Sequence, residues 1–213
     1  MASRKSFVLV IDDQNGITTK RHLEGLVNVI VRHPNDVTEG DLKRCNLVLV
    51  DFKLDEWPER NDQSTPSLMP QTGIALIAVL RSNLSRLRAA PTAFALNSGL
   101  LSDLSNGGEW EGREHAIAKS IDLEWVFAKT SNRPQFARGV KSLTEAVAAL
   151  PAKWPAASKT KDQILKLLSL STRVRWRQSA IDAIDRSHPP HEILIGNSSG
   201  IAVLRWLLHV ILP

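Results

Sequence analysis

The chain has 213 residues, 43% hydrophobic and 23% charged, an ordinary balance for a soluble globular protein, with room for one domain plus an appendage or for two small domains. Its one cysteine, Cys45, excludes an internal disulfide framework and fits a reducing compartment. The net charge of +5 belongs to the C-terminal third: residues 1–150 balance 18 Lys+Arg with 18 Asp+Glu, whereas residues 151–213 hold 9 against 4. A basic segment of this kind serves nucleic acid or an acidic partner, or is simply a solvated helix face.

The N-terminus "MASRKS" is basic, but the apolar run behind it, Phe7 to Ile11, is five residues long and ends in Asp12-Asp13. It reads as neither a signal peptide nor a membrane span, and the expectation is a cytoplasmic protein. The run itself suits a strand buried on both faces of a parallel sheet. Residues 14–25 support barely two helical turns, and Ile17-Thr18-Thr19 favours extended backbone, so a first helix here is stunted or replaced. Residues 26–32 predict a second strand, 35–45 a polar helix and 46–52 a third strand ending on Asp51. Residues 55–72 carry three prolines and no periodicity, as a loop does. Residues 73–87 have helical spacing, 91–96 predict a fourth strand and 97–112 a loop. A short helix over 113–121, a fifth strand over 124–129 and a helix over 133–150 complete the alternation. Such alternation points to right-handed βαβ crossovers and a parallel sheet with helices on both faces.

In an open parallel sheet the ligand site lies beyond the carboxyl ends of the strands. Asp12, Asp13 and Asp51 all fall there if the first and third strands are neighbours. Three close carboxylates repel and raise one another's pKa, unless a hard divalent cation sits among them. Mg²⁺ suits such a set, because it takes oxygen ligands and keeps several waters. Lys129 ends the fifth strand at the same edge and can neutralise a phosphoryl group.

With these residues in place, the chain over about residues 6–150 resembles the receiver domain of two-component response regulators. "VLVIDD" is similar to the acidic doublet after the family's first strand, and "LVLVDFKL" to its phosphoacceptor strand. "TGIALIAVLR" is similar to its Gly-led third helix, and "WVFAK" to the strand that ends in lysine. The resemblance implies a five-stranded flavodoxin-like sheet, Asp51 as phosphoacceptor, and Mg²⁺ at Asp12, Asp13 and Asp51. It implies Lys129 on the phosphoryl oxygens, Asn97 or Ser98 as their sensor, and a histidine kinase or phosphotransfer protein as partner. The module would be a signal-transducing phosphorelay switch rather than a turnover enzyme.

The chain departs from the family's pattern at several positions. Asp55 stands where the family has proline, and Thr130 follows the lysine where proline is usual. Asp51 and Gly73 lie 22 residues apart, so the loop beside the acceptor, which contains Trp57, is enlarged. Asn97 stands where a Ser or Thr is expected, with Ser98 next to it. Neither Trp125 nor Phe127 aligns as the switch aromatic. Asn97 and Thr130 support a rival reading, a pseudo-receiver that no longer switches and acts as an interaction or dimerisation module of a larger regulatory protein. A Mg²⁺-dependent phosphohydrolase would need a second acid two residues after its nucleophile, where Lys53 stands.

Residues 151–213 predict a helical extension: a linker over 151–163, a helix over 162–186, a break over 187–199 and a final helix over 200–212. The last helix is apolar almost all round and must be covered, by this chain, by a second copy in a homodimer, or by further sequence. Arg173, Arg175 and Arg177 with Trp176 could touch phosphate, but the spacing of the two helices does not match a helix-turn-helix, which argues against nucleic acid. His188 and His191 flank two prolines without supporting ligands and read as a surface loop. "GNSSG" before the last helix lacks the lysine and spacing of a P-loop.

Overall fold

Five runs rich in Val, Leu, Ile, Ala and Phe form the strands: β1 (Phe7–Ile11), β2 (Asn28–Arg32), β3 (Leu47–Asp51), β4 (Ala93–Ser98) and β5 (Trp125–Ala128). The computed structural model describes residues 6–14, 16–57, 69–87, 91–99, 114–129, 132–150, 175, 177–187 and 200–211. All adjacent strands pair in parallel, in the order β2-β1-β3-β4-β5. The fold is flavodoxin-like, as expected from the sequence, and its strand order reverses between β1 and β3.

Strand alternation assigns each face its own core. Leu9, Ile11, Val48, Val50, Phe94, Leu96 and Val126 belong to one buried cluster. This cluster includes residues of α2 (Glu39–Arg44), α3 (Gly73–Leu87) and α4 (Glu114–Ser120). The intervening positions Val8, Val10, Leu47, Leu49 and Ala95 are buried on the other face. That face is covered by α1 (Gly16–Leu23), which packs against α5 (Arg133–Ala149). The first helix does form, as two turns, with Gly16, Thr19 and Leu23 turned inward.

Three boundaries differ from the sequence expectation. β2 starts at Asn28 because the chain first turns through Gly25, whose φ of 78° favours glycine. The helix expected over 35–45 is split into a 3₁₀ turn at Pro34–Asp36 and α2. The split follows from Thr38, which is extended and caps α2 through a reciprocal box with Asp41. β4 runs to Ser98, past its polar Asn97, because β3 and β5 pair with it on both sides.

Residues 1–149 and 150–213 form two separate units. In the second, α6 spans Arg177–Arg186, and α7 (Gly200–Trp206) continues as a π-helical turn, Leu207–Ile211. Val203, Leu204, Trp206 and Leu207 are buried. The 151–163 linker, Arg173, Trp176, His188, His191 and residues 196–199 lie outside the described residues, as does Thr130 in the first unit. Among the described residues, no helix is long and apolar enough to cross a membrane.

Asp41 joins α2 to the edge strand. Its carboxylate accepts from Thr38 N–H at 3.2 Å, Thr38 Oγ1 at 2.8 Å and Arg32 Nε at 2.9 Å. Burial alone would raise its pKa, but the hydrogen bonds from Arg32 and Thr38 outweigh that, and the carboxyl titrates below its ordinary value. A depressed folded-state pKa contributes stability that is present above the unfolded value and lost as pH falls through the folded one. Asp41→Ala should therefore cost about 1.5–3 kcal/mol at neutral pH. Urea titrations over a pH series should show this gap constant above about pH 5 and shrinking below about pH 4. A gap that does not change down to strongly acid pH would show that charge plays no part in the cap.

Candidate phosphoryl and metal site

The carboxyl ends of β1, β3 and β5 bring their acids and lysine together. One carboxylate oxygen each from Asp12, Asp13 and Asp51 lie within 4.8 Å of one another. Lys129 Nζ stands 2.8 Å from Asp51 Oδ2 and 4.0 Å from Asp12 Oδ2. Asp12 and Asp51 are largely buried, with side chains 4% and 12% exposed. Burial pushes the Asp51 carboxyl above the ordinary carboxylate range; the Lys129 ammonium opposes this, and Asp12 adds to it.

Local hydrogen bonds aim each acid. Asp12 Oδ1 accepts from Gln14 N–H at 2.8 Å, and Asp13 Oδ2 from Glu56 N–H at 2.7 Å. Asp13 Oδ1 is buried and has no hydrogen-bond partner. An unpartnered carboxylate oxygen on one member of a three-acid cluster is what a hard cation would complete, so the donor set fits Mg²⁺.

The start of the enlarged loop is anchored here rather than free. Trp57 is buried, its Nε1 donates to Asn35 Oδ1 at 3.0 Å, and its ring meets His33 edge-on at 5.9 Å. The far end returns as a bridge between Lys53 and Thr72, with Leu54 N–H donating to Gln71 O at 3.2 Å. The loop's centre, 58–68, lies outside the described residues.

Gly73 then starts α3 hard against β3. Its N–H donates to Phe52 O at 2.8 Å. A Cβ on Gly73 would collide with the Asp51 carbonyl oxygen and lie 2.9 Å from Leu96 Cδ2. The glycine of "TGIALIAVLR" is thus required by close approach.

β4 presents its two polar residues to opposite faces. Asn97 is in register with Asp51 and with Phe127, and Phe127 packs edge-on against Phe136 of α5 at 5.7 Å. Asn97 is therefore on the α1/α5 face, where its Nδ2 donates to Thr19 Oγ1 at 3.4 Å. Ser98, buried too, is in register with Ala128 on the other face. Two cavities follow this division. One of about 390 Å³ is lined by Asp12, Asn97, Thr19, His22, Arg133 and Phe136. The other, of about 210 Å³, is lined by Phe52, Lys53, Asp55, Ser98 and Gly99. Asp51, Lys129 and Gln14 border both.

Sequence reasoning named the acids, the lysine and both β4 candidates, but not Thr19, His22, Arg133 or Phe136. Thr19 carried the only local signal: it falls four residues before Leu23 on the inward stripe of α1.

No protein-family model matches the chain, and no curated protein sequence does. Among solved structures, it is similar to the phosphorylated cyanobacterial phytochrome response regulator RcpA. That likeness has 14% identity and a TM-score of 0.38, and it covers 68% of this chain and 95% of the other.

Two outcomes follow from this geometry. Gly73→Ala should destabilise by about 1–3 kcal/mol, as overpacking does, read as a lower urea midpoint. An unchanged midpoint would mean that α3 shifts at no cost. Lys129→Ala removes the cation from partly buried acids and should cost about 1–2 kcal/mol in a chelating buffer. Millimolar Mg²⁺ should recover most of that loss. A melting temperature in Lys129→Ala that ignores Mg²⁺ would argue against a cation site.

Proposed function

We propose that the first unit is a phosphoacceptor switch of the receiver kind. The observation that supports it best is the convergence of Asp12, Asp13 and Asp51 within 4.8 Å, with Lys129 at 2.8 Å from Asp51. In this reading an Asp51 oxygen attacks the phosphorus of a phosphohistidine on a kinase or phosphotransfer protein. An O–P bond forms, the N–P bond breaks, and the histidine leaves with a proton. Asp12, Asp13 and Asp51 would hold Mg²⁺, which supplies charge neutralisation on the transferring group. Asp13 is the strongest candidate for a direct ligand, because its Oδ1 lacks any other partner. Lys129 would turn from Asp51 to the phosphoryl oxygens, holding the acceptor until then by its ion pair. The product is a phosphorylated protein, so the unit signals rather than turning over substrate.

One observation favours a second reading, a pseudo-receiver that serves for interaction. Asn97 is already bonded to Thr19, and a sensor satisfied before phosphorylation gains little differential affinity from it. A weak conformational response is expected on that account even if Asp51 accepts the group.

Intact mass after incubation with a small phosphodonor tests the reading. The expected result is one added phosphoryl group with Mg²⁺, none in chelator and none in Asp51→Asn. No mass gain under any condition would leave the interaction module as the surviving function. A gain that persists in Asp51→Asn would place the chemistry elsewhere.

A further inference from the structure

The chain leaving β3 carries a short turn that is exposed yet firmly held. Leu54 is fully buried and Trp57 is 7% exposed, so two apolar side chains pin the exposed residues Asp55 and Glu56 from either side. The Trp57 ring rests on a structured wall. His33, just past β2, accepts from Asn35 N–H at 3.3 Å through Nδ1, and its ring meets Trp57 edge-on. Asn35 Oδ1 in turn accepts from Trp57 Nε1 at 3.0 Å.

The pinned turn reaches into the acidic cluster. Glu56 N–H donates to Asp13 Oδ2 at 2.7 Å, a contact between residues 43 positions apart. In an exposed turn water can satisfy a backbone N–H, so aiming this one at Asp13 requires that its neighbours fix the backbone. A free aspartate rotates broadly about its last torsion. Held at one oxygen, the Asp13 carboxylate keeps a defined orientation within the set whose ligand oxygens lie within 4.8 Å of one another. Partners of this kind, one bond behind a metal ligand, commonly set its affinity.

We propose that Trp57 is a positioning residue for cation binding: its anchorage on His33 and Asn35 aims the Glu56 N–H, which orients Asp13. The inference rests on the reading of Asp12, Asp13 and Asp51 as a Mg²⁺ site, and adds that occupancy of that site and docking of residues 54–57 are coupled. The coupling is reciprocal: whatever the anchor adds to Mg²⁺ affinity, bound Mg²⁺ adds to the stability of the anchor. Residues that depart from the receiver pattern, the start of the enlarged loop, thereby tune the site beside which they lie.

The test is calorimetric titration of the full chain with Mg²⁺ alone. Trp57→Ala should raise the Kd about tenfold, the usual loss when the partner of a metal ligand is removed. Asn35→Ala, at an exposed position, should raise it about threefold, the worth of one hydrogen bond. Trp57→Phe, which keeps a ring against His33 but loses the Nε1 donor, should match Asn35→Ala. Val140→Ala, in the core of α5 on the other face of the sheet, should lower the melting temperature yet leave the Kd within about twofold. Saturating Mg²⁺ should also slow amide exchange at Glu56 by about tenfold, a response that a merely structural Trp57 would not give. An unchanged Kd in folded Trp57→Ala, or a Glu56 amide indifferent to Mg²⁺, overturns the inference and leaves the cation site standing. If Trp57→Ala does not fold, an unchanged Kd in both Asn35→Ala and Trp57→Phe overturns it equally. Absence of Mg²⁺ binding to the wild-type chain removes the cation site and the inference together.

Discussion

A parallel sheet covered by helices on both faces leaves polar chemistry nowhere to go but the sheet's ends. The inner strands β1, β3 and β4 are mostly apolar because both of their faces are buried, while the edge strand β2 is only partly buried. Their backbones stop at a common edge, and the first residues past the apolar runs are Asp12, Asp13 and Lys129, with Asp51 as the last of its strand. The reversal of strand order at β1/β3 opens the crevice into which the acids point. Desolvation by the surrounding core and mutual repulsion make the carboxylates costly. The Asp51–Lys129 pair at 2.8 Å offsets part of that cost. What remains unsatisfied, above all Asp13 Oδ1, is the site's capacity to bind.

The same constraint explains what could be read directly from the chain. A run such as "FVLVIDD" carries its own message: an apolar stretch without alternation is buried on both faces, and an acid doublet at its end stands at an edge. Asp51 and Lys129 followed by the same logic, and the core helices by their 3.6-residue spacing. The strand order did not follow from any one segment. It rested on likeness to a known arrangement and is now seen in the pairing of β1 with both β2 and β3.

Other parts were hidden because they depend on partners far away in sequence. β4 reads as ending at Leu96, since Asn97 and Ser98 are polar; their strand conformation comes from β3 and β5, which pair with them. Glu124 is fully buried, an improbable fate for a glutamate judged alone. It bonds the Phe94 backbone N–H, 30 residues away, and lies 3.5 Å from Arg81, whose guanidinium also covers the Phe94 ring. The pocket between α1 and α5 is hidden for the same reason: Thr19, Asn97, Arg133 and Phe136 meet only in the folded chain.

Register then decides which residue stands beside Asp51. Slipping β4 by one position would exchange its faces, putting Ser98 beside Asp51 and Asn97 toward α3. The slip is prevented along the whole strand. Ala93 N–H donates to Asn46 O at 2.8 Å, Phe52 N–H to Asn97 O at 3.1 Å and Lys129 N–H to Ser98 O at 2.7 Å. The Glu124 carboxylate holds Phe94 as well. With the register fixed, Asn97 shares the face of Asp51, and its one side-chain bond leads to Thr19 of α1. Thr19 is itself buried, on the helix that packs against α5. Which polar residue of β4 shares the face of Asp51 thus rests on strand parity, and parity rests on backbone hydrogen bonds at both edges of β4.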